Sequence, residues 1–348
     1  MLDRTLYIDR VGAFTFDRLA CLRNEYAKND CRLCVEQCAQ DAFVFEEGKL
    51  RLSPSACTQC GACIGVCPTN ALFLFGFSLE KATALVKSGE TVFTCKDALP
   101  CLGAFGVEEW ISLLVDTQQN ITCNLHACAT CDINAKGIVK ERIEKDIEEA
   151  NAFVGELGRD VSVSVDENPT RKEPSRRAFF QRFIAPPTPV IHAPQAPLLS
   201  LKKVLKSSLQ DSHVIKRPFS FIHAKQIAQT CDNCKECVQF CPTNALSYNA
   251  DQTKILFQMG KCIGCRICEE ICKKEAITSK EECYDIVHFA YDRADSLIAH
   301  DLQVCLTCKC AFSYKGGVKV CERCRSFEEE HADMFMLACE QGDAFTNG

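Results

Sequence analysis

The cysteines are the residues of this chain whose number and spacing could do chemistry. The chain has 28 cysteines among 348 residues, many of them separated by only two or three others. Four runs repeat this short spacing, at Cys31–Cys38, Cys57–Cys67, Cys231–Cys241 and Cys262–Cys272. Thiolates spaced so closely bind metal, and the chain is far longer than the small secreted proteins in which cysteines form disulfide frameworks. The runs therefore predict thiolate-bound metal centres.

The runs in the second half resemble the bacterial two-cluster ferredoxin over residues 228–278. In that family each run gives three ligands to one [4Fe–4S] cluster, and its fourth cysteine, followed by proline, binds the neighbouring cluster. Pro242 stands at that position here. The resemblance implies two ligand sets, which are Cys231, Cys234, Cys237 and Cys272, and Cys262, Cys265, Cys268 and Cys241.

The first half repeats the same unit with one departure. Residues 67–72 recur letter for letter at 241–246, but the run from Cys31 to Cys38 is one cysteine short. The nearest upstream thiol is Cys21, and nine residues separate it from Cys31 instead of two. By the same resemblance the ligand sets are Cys21, Cys31, Cys34 and Cys67, and Cys57, Cys60, Cys63 and Cys38. If Cys21 is not a ligand, a three-iron cluster is expected in the first set.

Residues 78–167 are predicted to form a small parallel α/β domain. Apolar periodicity and capping residues predict helices and strands in alternation. The predicted helices are 78–87, 107–116 and 139–157, and the predicted strands are 91–95, 120–125 and 160–166. Sites in such sheets form where the strands end. Cysteines follow the first two strands, which predicts a fifth iron–sulfur cluster, [2Fe–2S] or [4Fe–4S], on Cys95, Cys101, Cys128 and Cys131.

For these four thiols the alternative is ordinary buried cysteines or a redox pair. Cys123 lies inside a predicted strand and is expected to pack in the core. Residues 167–219 have eight prolines and no cysteine, a composition typical of an extended linker. Within that linker, the basic and aromatic stretch 175–180 is predicted to anchor the chain on an acidic module or on a partner.

The C-terminal region has two Cys-x-x-Cys pairs separated by twelve residues, with Gly316 and Gly317 between them. Two such pairs facing each other make a tetrahedral thiolate site. We predict structural zinc on Cys305, Cys308, Cys321 and Cys324. A rubredoxin-like iron or another cluster is the alternative, because Cys310 lies nearby. Cys283 and Cys339 have no spaced partner and are expected to be packing residues.

These predictions give an α+β fold class. Two ferredoxin-like dicluster modules flank the small α/β domain, and a zinc-ribbon-like knuckle follows. The predicted boundaries are 1–77 for the first module, 78–167 for the α/β domain, 168–224 for the proline-rich linker, 225–282 for the second module and 283–348 for the knuckle region.

Composition and missing motifs limit the function. The net charge of −6 favours partners with basic docking patches and disfavours nucleic acid. The longest apolar run, residues 71–77, is too short to span a membrane, and the first residues lack the pattern of a secretion signal. A reducing cytoplasm is expected. The chain has no G-x-G-x-x-G fingerprint, phosphate-binding loop or C-x-x-C-H haem site, so no catalytic residue is predicted.

We therefore predict an electron-transfer protein or subunit with four [4Fe–4S] clusters. By resemblance its partner is an oxidoreductase of anaerobic metabolism, such as a hydrogenase, formate dehydrogenase or reductase. Two alternatives stay open. One is an assembly or maturation factor for a metalloenzyme, suggested by the enlarged loop between Cys21 and Cys31. The other is a redox-sensing regulator that uses the cysteines of the α/β domain.

Overall fold

The computed structural model describes residues 7–26, 28–95, 99–169, 197–209, 213–280 and 284–331. Short helices and strands are mixed throughout, as predicted. The chain divides into two compact units. The first unit comprises the described parts of 1–224, 258–265 and 281–293, and the second those of 225–257, 266–280 and 294–348.

The first cysteine-rich region consists of two small antiparallel sheets and short helical turns. One sheet has the order β1 (Ile8–Val11), β2 (Phe14–Asp17) and β5 (Leu72–Leu74), and β3 (Phe43–Glu46) pairs with β4 (Lys49–Leu52). Between them lie α1 (Leu22–Glu25), α2 (Leu33–Gln37) and a 3-10 turn, Ile64–Val66. Apolar side chains from the strands, from α2 and from the 3-10 turn pack into one core. Because such short strands are marginal alone, bound metal would add to the stability of the region.

The next region contains a parallel sheet in the order β6 (Val92–Thr94), β7 (Ile121–Asn124) and β8 (Val163–Asp166). Its helices are α3 (Leu79–Lys87), α4 (Val107–Thr117) and α5 (Ile138–Glu156). The six elements predicted from periodicity are present, with small changes at their ends. The rings of Phe105 and Trp110, both fully buried, stack at 4.7 Å and form the centre of this region.

The prediction of an extended linker over residues 168–224 is wrong for Pro197–Ser208, which form helix α6. Leu201 and Leu205 lie one turn apart on one face of α6, fully buried, and the helix packs against α4. The proline count concealed this apolar periodicity, because proline is well tolerated in the first turn of a helix. The stretch 175–180, predicted to be a basic anchor, lies outside the described residues.

Three further elements complete the first unit. Strand β9 (Val214–Ile215) pairs with β14 (Tyr284–Asp285), which leads into α9 (Ile286–Ala290). Lys202 of α6 is buried, donates to the carbonyl oxygen of Gly260 at 3.0 Å and pairs with Asp292 at 2.6 Å. This buried ion pair fixes α6 to the segment that precedes Cys262.

The second cysteine-rich region repeats the architecture of the first. Strand β10 (Ala224–Ile227) pairs with β13 (Ile277–Lys280), and a second sheet has the order β11 (Leu246–Tyr248), β12 (Lys254–Gln258) and β15 (Ala294–Ala299). The cysteines flank or lie on α7 (Glu236–Gln239) and α8 (Ile267–Glu270). Lys225, buried on β10, pairs with Glu269 of α8 at 2.5 Å.

The C-terminal described part is a hairpin of β16 (Leu302–Val304) and β17 (Ala311–Ser313), followed by α10 (Glu322–Glu330). Throughout the described ranges, none of the helices combines the length and apolar character required to cross a bilayer.

Candidate metal centres

The same turn follows the last cysteine of each run. Three residues after that cysteine the backbone is left-handed, with φ between 47° and 56°, at Asp41, Asn70, Asn244 and Glu275. The N–H of this residue donates to the carbonyl oxygen of the cysteine at 2.9 to 3.4 Å. A buried alanine comes next, and in three turns its N–H donates to the cysteine Sγ, from Ala42 to Cys38 at 3.4 Å, Ala245 to Cys241 at 3.2 Å and Ala276 to Cys272 at 3.2 Å.

Three of the Cys-x-x-Cys loops share a second backbone pattern. Left-handed residues stand immediately before and after the second cysteine, at Gln59, Gly61, Asn233, Lys235, Gly264 and Arg266. This alternation aims successive N–H groups into one concavity, a geometry typical of iron–sulfur and anion sites. At Gly61 a Cβ atom would lie 2.6 Å from Leu74 Cδ1, so glycine adopts the left-handed conformation there without displacing this side chain.

The N–H groups of these loops point at the cysteine sulfurs. Burial raises the pKa of Cys57, and the N–H of Gln59 opposes that rise by bonding to its sulfur. The pKa of Cys231 is likewise raised by burial and opposed by the N–H of Asn233. Such donors stabilise the ionised sulfur that a metal requires, and they raise the reduction potential of a bound cluster.

The structure brings together Cys21, Cys31, Cys34 and Cys67, the first predicted set. Burial raises the pKa of Cys34, and the neighbouring charges of Cys67, Cys21 and Cys31 raise it further. Cys21 directly precedes α1. Burial raises the pKa of this thiol, and hydrogen bonds from the N–H groups of Asn24 and Arg23 partly oppose the rise. Cys67 thus lies with the thiols of the other run, as a swapped ligand would.

Two asparagines hold the enlarged loop between Cys21 and Cys31. The side chain of Asn24 makes two hydrogen bonds to Leu50 on β4, donating at 3.1 Å and accepting at 2.7 Å. Asn29 is buried, accepts from the N–H of Cys31 at 3.1 Å and donates to the carbonyl oxygen of Cys265 at 3.1 Å. The long loop is therefore anchored, and it contacts the Cys262–Cys265 segment of the second run pair.

Cys38, Cys57, Cys60 and Cys63, the second predicted set, also lie together. Burial raises the pKa of Cys63 well above its usual value. The charges of four neighbouring thiols raise it further, which are Cys60, Cys34, Cys38 and Cys57. Because Cys34 belongs to the first set, the two sets adjoin. The Oε1 atom of Gln59 accepts from the N–H of Ala13 at 3.0 Å, which fixes this loop on the β1–β2 hairpin.

In the second unit, Cys231, Cys234, Cys237 and Cys272 line one cavity of about 440 Å³. Burial raises the pKa of Cys237 to about 12, and the charges of Cys231, Cys234 and Cys272 add to that rise. The grouping is the one that the resemblance implied, with Cys272 contributed by the other run.

The last predicted set divides between the two units. Cys262 and Cys265 belong to the first unit, and Cys268 and Cys241 belong to the second. The grouping of these four thiols stays a prediction. Cys241 nevertheless has the same turn and the same alanine N–H donor as Cys38 and Cys272.

A half-buried tyrosine, whose hydroxyl oxygen is inaccessible to solvent, tests whether the Cys231 set suits a cluster. The hydroxyl of Tyr248 on β11 has no hydrogen-bond partner among the described residues. Burial raises the pKa of Tyr248, and the charges of Cys237, Cys234 and Cys231 raise it further. The phenol therefore lies beside these thiols. An unpaired buried donor is costly. A sulfur-rich cluster held by these cysteines would supply its acceptor, so the donor set fits such a group.

The C-terminal thiols suit a single ion instead. The Sγ atoms of Cys305, Cys308, Cys321 and Cys324 all lie within 4.8 Å of one another, the only such group of potential ligands in the described ranges. Cys308 and Cys321 are 3.8 Å apart, the spacing that tetrahedral zinc imposes when each Zn–S bond is about 2.3 Å. The N–H of Cys321, which donates to Cys305 Sγ at 3.3 Å, lowers the pKa of Cys305 to about 6.

Cys310 lies outside that group and bonds through its thiol to the carbonyl oxygen of Cys308 at 3.6 Å. Cys123 is fully buried inside β7, as predicted. Cys283 and Cys339 lie outside the described residues. Cys95, Cys101, Cys128 and Cys131 line a common cavity of about 250 Å³.

Sequence reasoning missed Tyr248 and Asn29. A sequence signal existed for Tyr248, because it occupies the position of Phe45 when Cys241 is aligned on Cys38. Asn29 gave none, since its role depends on a contact 236 residues away along the chain.

Comparison with known proteins identifies two family matches. Residues 29–71 and residues 223–273 each match a family described as a 4Fe–4S dicluster domain. The chain is 32% identical to a ferredoxin 7Fe of Hydrogenibacillus schlegelii over 60 residues, which are 17% of this chain and 77% of that protein.

Two enzymes also match over short segments. An archaeal-type glutamate synthase (NADPH) of Thermotoga maritima is 35% identical over 68 residues, 20% of this chain and 13% of the synthase. A 4-hydroxyphenylacetate decarboxylase activating enzyme of Clostridium scatologenes is 44% identical over 48 residues, 13% of this chain and 15% of that enzyme. The chain thus spans only a small part of either enzyme.

Proposed function

This chain belongs to the family of 4Fe–4S dicluster ferredoxins, with two such domains, and we propose that it relays single electrons to or from a partner oxidoreductase. Two dicluster domains imply about four [4Fe–4S] clusters. The observation that carries the proposal is the exchange of thiols between runs. Cys67 lies with Cys31 and Cys34, while Cys38 lies with Cys57 and Cys63.

A bound [4Fe–4S] cluster supplies reversible one-electron chemistry. The protein supplies four thiolates per cluster, N–H donors from the left-handed loops and a partly apolar surround. The adjoining positions of Cys34 and Cys63 support two centres close together. The family's swapped ligands suit this role, since each run then fixes the position of both neighbouring centres.

The partner is proposed from chemistry, because the iron–sulfur clusters proposed here carry single electrons and need an enzyme to supply or use them. One relative has NADPH in its name, and the matched segment is a small part of it, which supports a module that serves a larger redox enzyme. We propose an oxidoreductase such as a hydrogenase, formate dehydrogenase or reductase. We propose the reducing cytoplasm as the location, because clusters held by thiolates need cysteines that are kept reduced.

Repeated redox cycling distinguishes an electron carrier from a factor that delivers its cluster to another protein. The loaded chain would be reduced and reoxidised anaerobically through a viologen, with metal-free ferredoxin present as a cluster acceptor. A carrier keeps its iron and returns each electron over many cycles. Transfer of iron to the acceptor, with loss of the redox response, would instead favour the maturation factor. Control cycles without the acceptor measure spontaneous iron loss.

A further inference from the structure

The carboxyl end of the parallel sheet carries a cavity of about 250 Å³. Its lining includes four thiols that none of the dicluster matches covers, which are Cys95, Cys101, Cys128 and Cys131. Cys95 directly follows β6, and Cys128 and Cys131 follow β7. Open α/β sheets place their ligand sites in this position.

The loop after β7 is held rigidly against α5. The N–H of Cys128 donates to the carbonyl oxygen of Leu125 at 2.8 Å. The side chain of Asn134 donates to the carbonyl oxygen of Cys128 at 3.1 Å and accepts from the N–H of Lys140 at 2.9 Å. Two thiols are thereby fixed in position by one asparagine that also bonds the first turn of the helix.

The walls of the cavity combine apolar side chains with a few polar ones, among them Gln59, Asn124 and Asn134. Leu102, Val139 and Ile143 line it beside the cysteines. Several thiols facing one small cavity are a donor set that a cationic iron–sulfur core would fit.

The spacing of the thiols favours a larger core over a single zinc ion. No three of the four Sγ atoms lie within 4.8 Å of one another, whereas all four of the C-terminal group do. A larger core, in which different irons bind different thiolates, suits a wider arrangement. Cys123, fully buried on β7, lies inside the strand and is absent from the cavity lining.

We propose that Cys95, Cys101, Cys128 and Cys131 ligate a further iron–sulfur cluster, which extends the relay proposed above. This inference rests on the proposed function for its role, but its ligands lie outside both dicluster domains.

The cavity adjoins the first dicluster region. Cys60, a member of the set with Cys38, Cys57 and Cys63, also lines it. The N–H of Cys101 donates to the carbonyl oxygen of Cys60 at 3.1 Å, a short bonded path between the two thiol sets. The α/β region also approaches the first dicluster region at Gly106. A Cβ atom added there would lie only 2.5 Å from the carbonyl oxygen of Gly65, so the two backbones are close. The α/β region therefore provides an entry or exit for electrons next to that set.

Iron and acid-labile sulfide, counted per chain on anaerobically purified protein, test the inference. The variants are Cys128→Ala/Cys131→Ala and the control Cys123→Ala, which removes a buried thiol of β7 that does not line the cavity. We expect the wild type and the control to hold two to four irons above the roughly sixteen of four [4Fe–4S] clusters. The double variant should lose only that excess and keep the electron paramagnetic resonance signals of the others.

Alkylation of the folded wild type gives an independent readout if the double variant folds poorly. Cluster-bound thiols at these four positions should resist alkylation until the iron is chelated. About sixteen irons in the wild type, with the four thiols alkylated freely or paired as disulfides, would overturn this inference and leave the relay intact. A wild-type count far below sixteen would instead contradict the proposed function.

Discussion

At the residue scale, we propose that Cys21, which nine residues separate from Cys31, replaces the first ligand of a run. It lies with Cys31 and Cys67, held by the N–H groups of Asn24 and Arg23. We expect Cys21→Ala to lower the iron count by about one and give a three-iron centre in place of one [4Fe–4S] cluster. Iron analysis and electron paramagnetic resonance measure this. Unchanged iron and spectra would show that Cys21 is not a ligand, and Cys123→Ala controls for the loss of a thiol.

Tyr248 carries a hydroxyl donor beside the Cys231 set, whereas the equivalent position in the first region is Phe45. Tyr248→Phe should lower the reduction potential of that centre, because a donor near sulfur favours the reduced cluster. A hydrogen bond of about 1 kcal/mol corresponds to about 40 mV for one electron. Spectroelectrochemistry would measure the shift. Tyr291→Phe, at an exposed ring, should leave every potential in place; an equal shift there would contradict the assignment.

Glu109 is a buried carboxyl whose Oε2 accepts from the N–H of Gly106 at 2.9 Å. Burial raises its pKa to about 8, with the charge of Glu108 adding to the rise. The folded chain therefore holds a proton that the unfolded chain releases near pH 4.5, so stability falls as pH rises from there to about 8.

Glu109→Gln should remove that loss. We expect the variant to be more stable than the wild type at pH 8 by roughly 1 kcal/mol or more, and similar to it at pH 5. Thermal unfolding at both pH values measures the difference. The exposed Glu148 serves as the control, and equal effects of Glu148→Gln at pH 8 would contradict burial as the cause.

At the scale of elements, the β16–β17 hairpin and α10 present four thiols to one point. A two-stranded hairpin is marginal in water, so a bound ion should hold this knuckle together. We expect one zinc per chain, lost in Cys308→Ser and kept in Cys310→Ser, because only Cys308 belongs to the converging group. Metal analysis after dialysis reports the result. Iron in place of zinc, or equal loss in both variants, would contradict the assignment.

Local patterns predicted the elements between the two cysteine-rich regions. Periodic apolar residues and the Ser78 cap predicted α3 to α5, and the parallel pairing of β6 to β8 follows from their alternation. Helix α6 was missed, because prolines dominate the composition around it while Leu201 and Leu205 carry the periodicity. Short strands such as β9 and β14 depend on pairing partners about 70 residues apart, which no local signal gives.

Over the whole molecule, the cysteine spacing and the resemblance to two-cluster ferredoxins together indicated which thiols lie near one another in the first region, with Cys67 near Cys34 and Cys38 near Cys63. Ligand spacing is a local property of the chain, so it can be recognised in the sequence without knowledge of the fold. The contact from Asn29 to Cys265 and the contact from Cys101 to Cys60 could not be predicted, because each depends on how distant segments pack. Those contacts are what would join separate centres into one relay.

A potentiometric titration of the anaerobically loaded protein, followed by electron paramagnetic resonance, tests the central claim most directly. The account predicts reversible uptake of about one electron per cluster, hence about four electrons for the two dicluster domains and a fifth if the α/β region is loaded. Reduction that is irreversible, or that consumes fewer than about two electrons on fully loaded protein, would contradict an electron-transfer role.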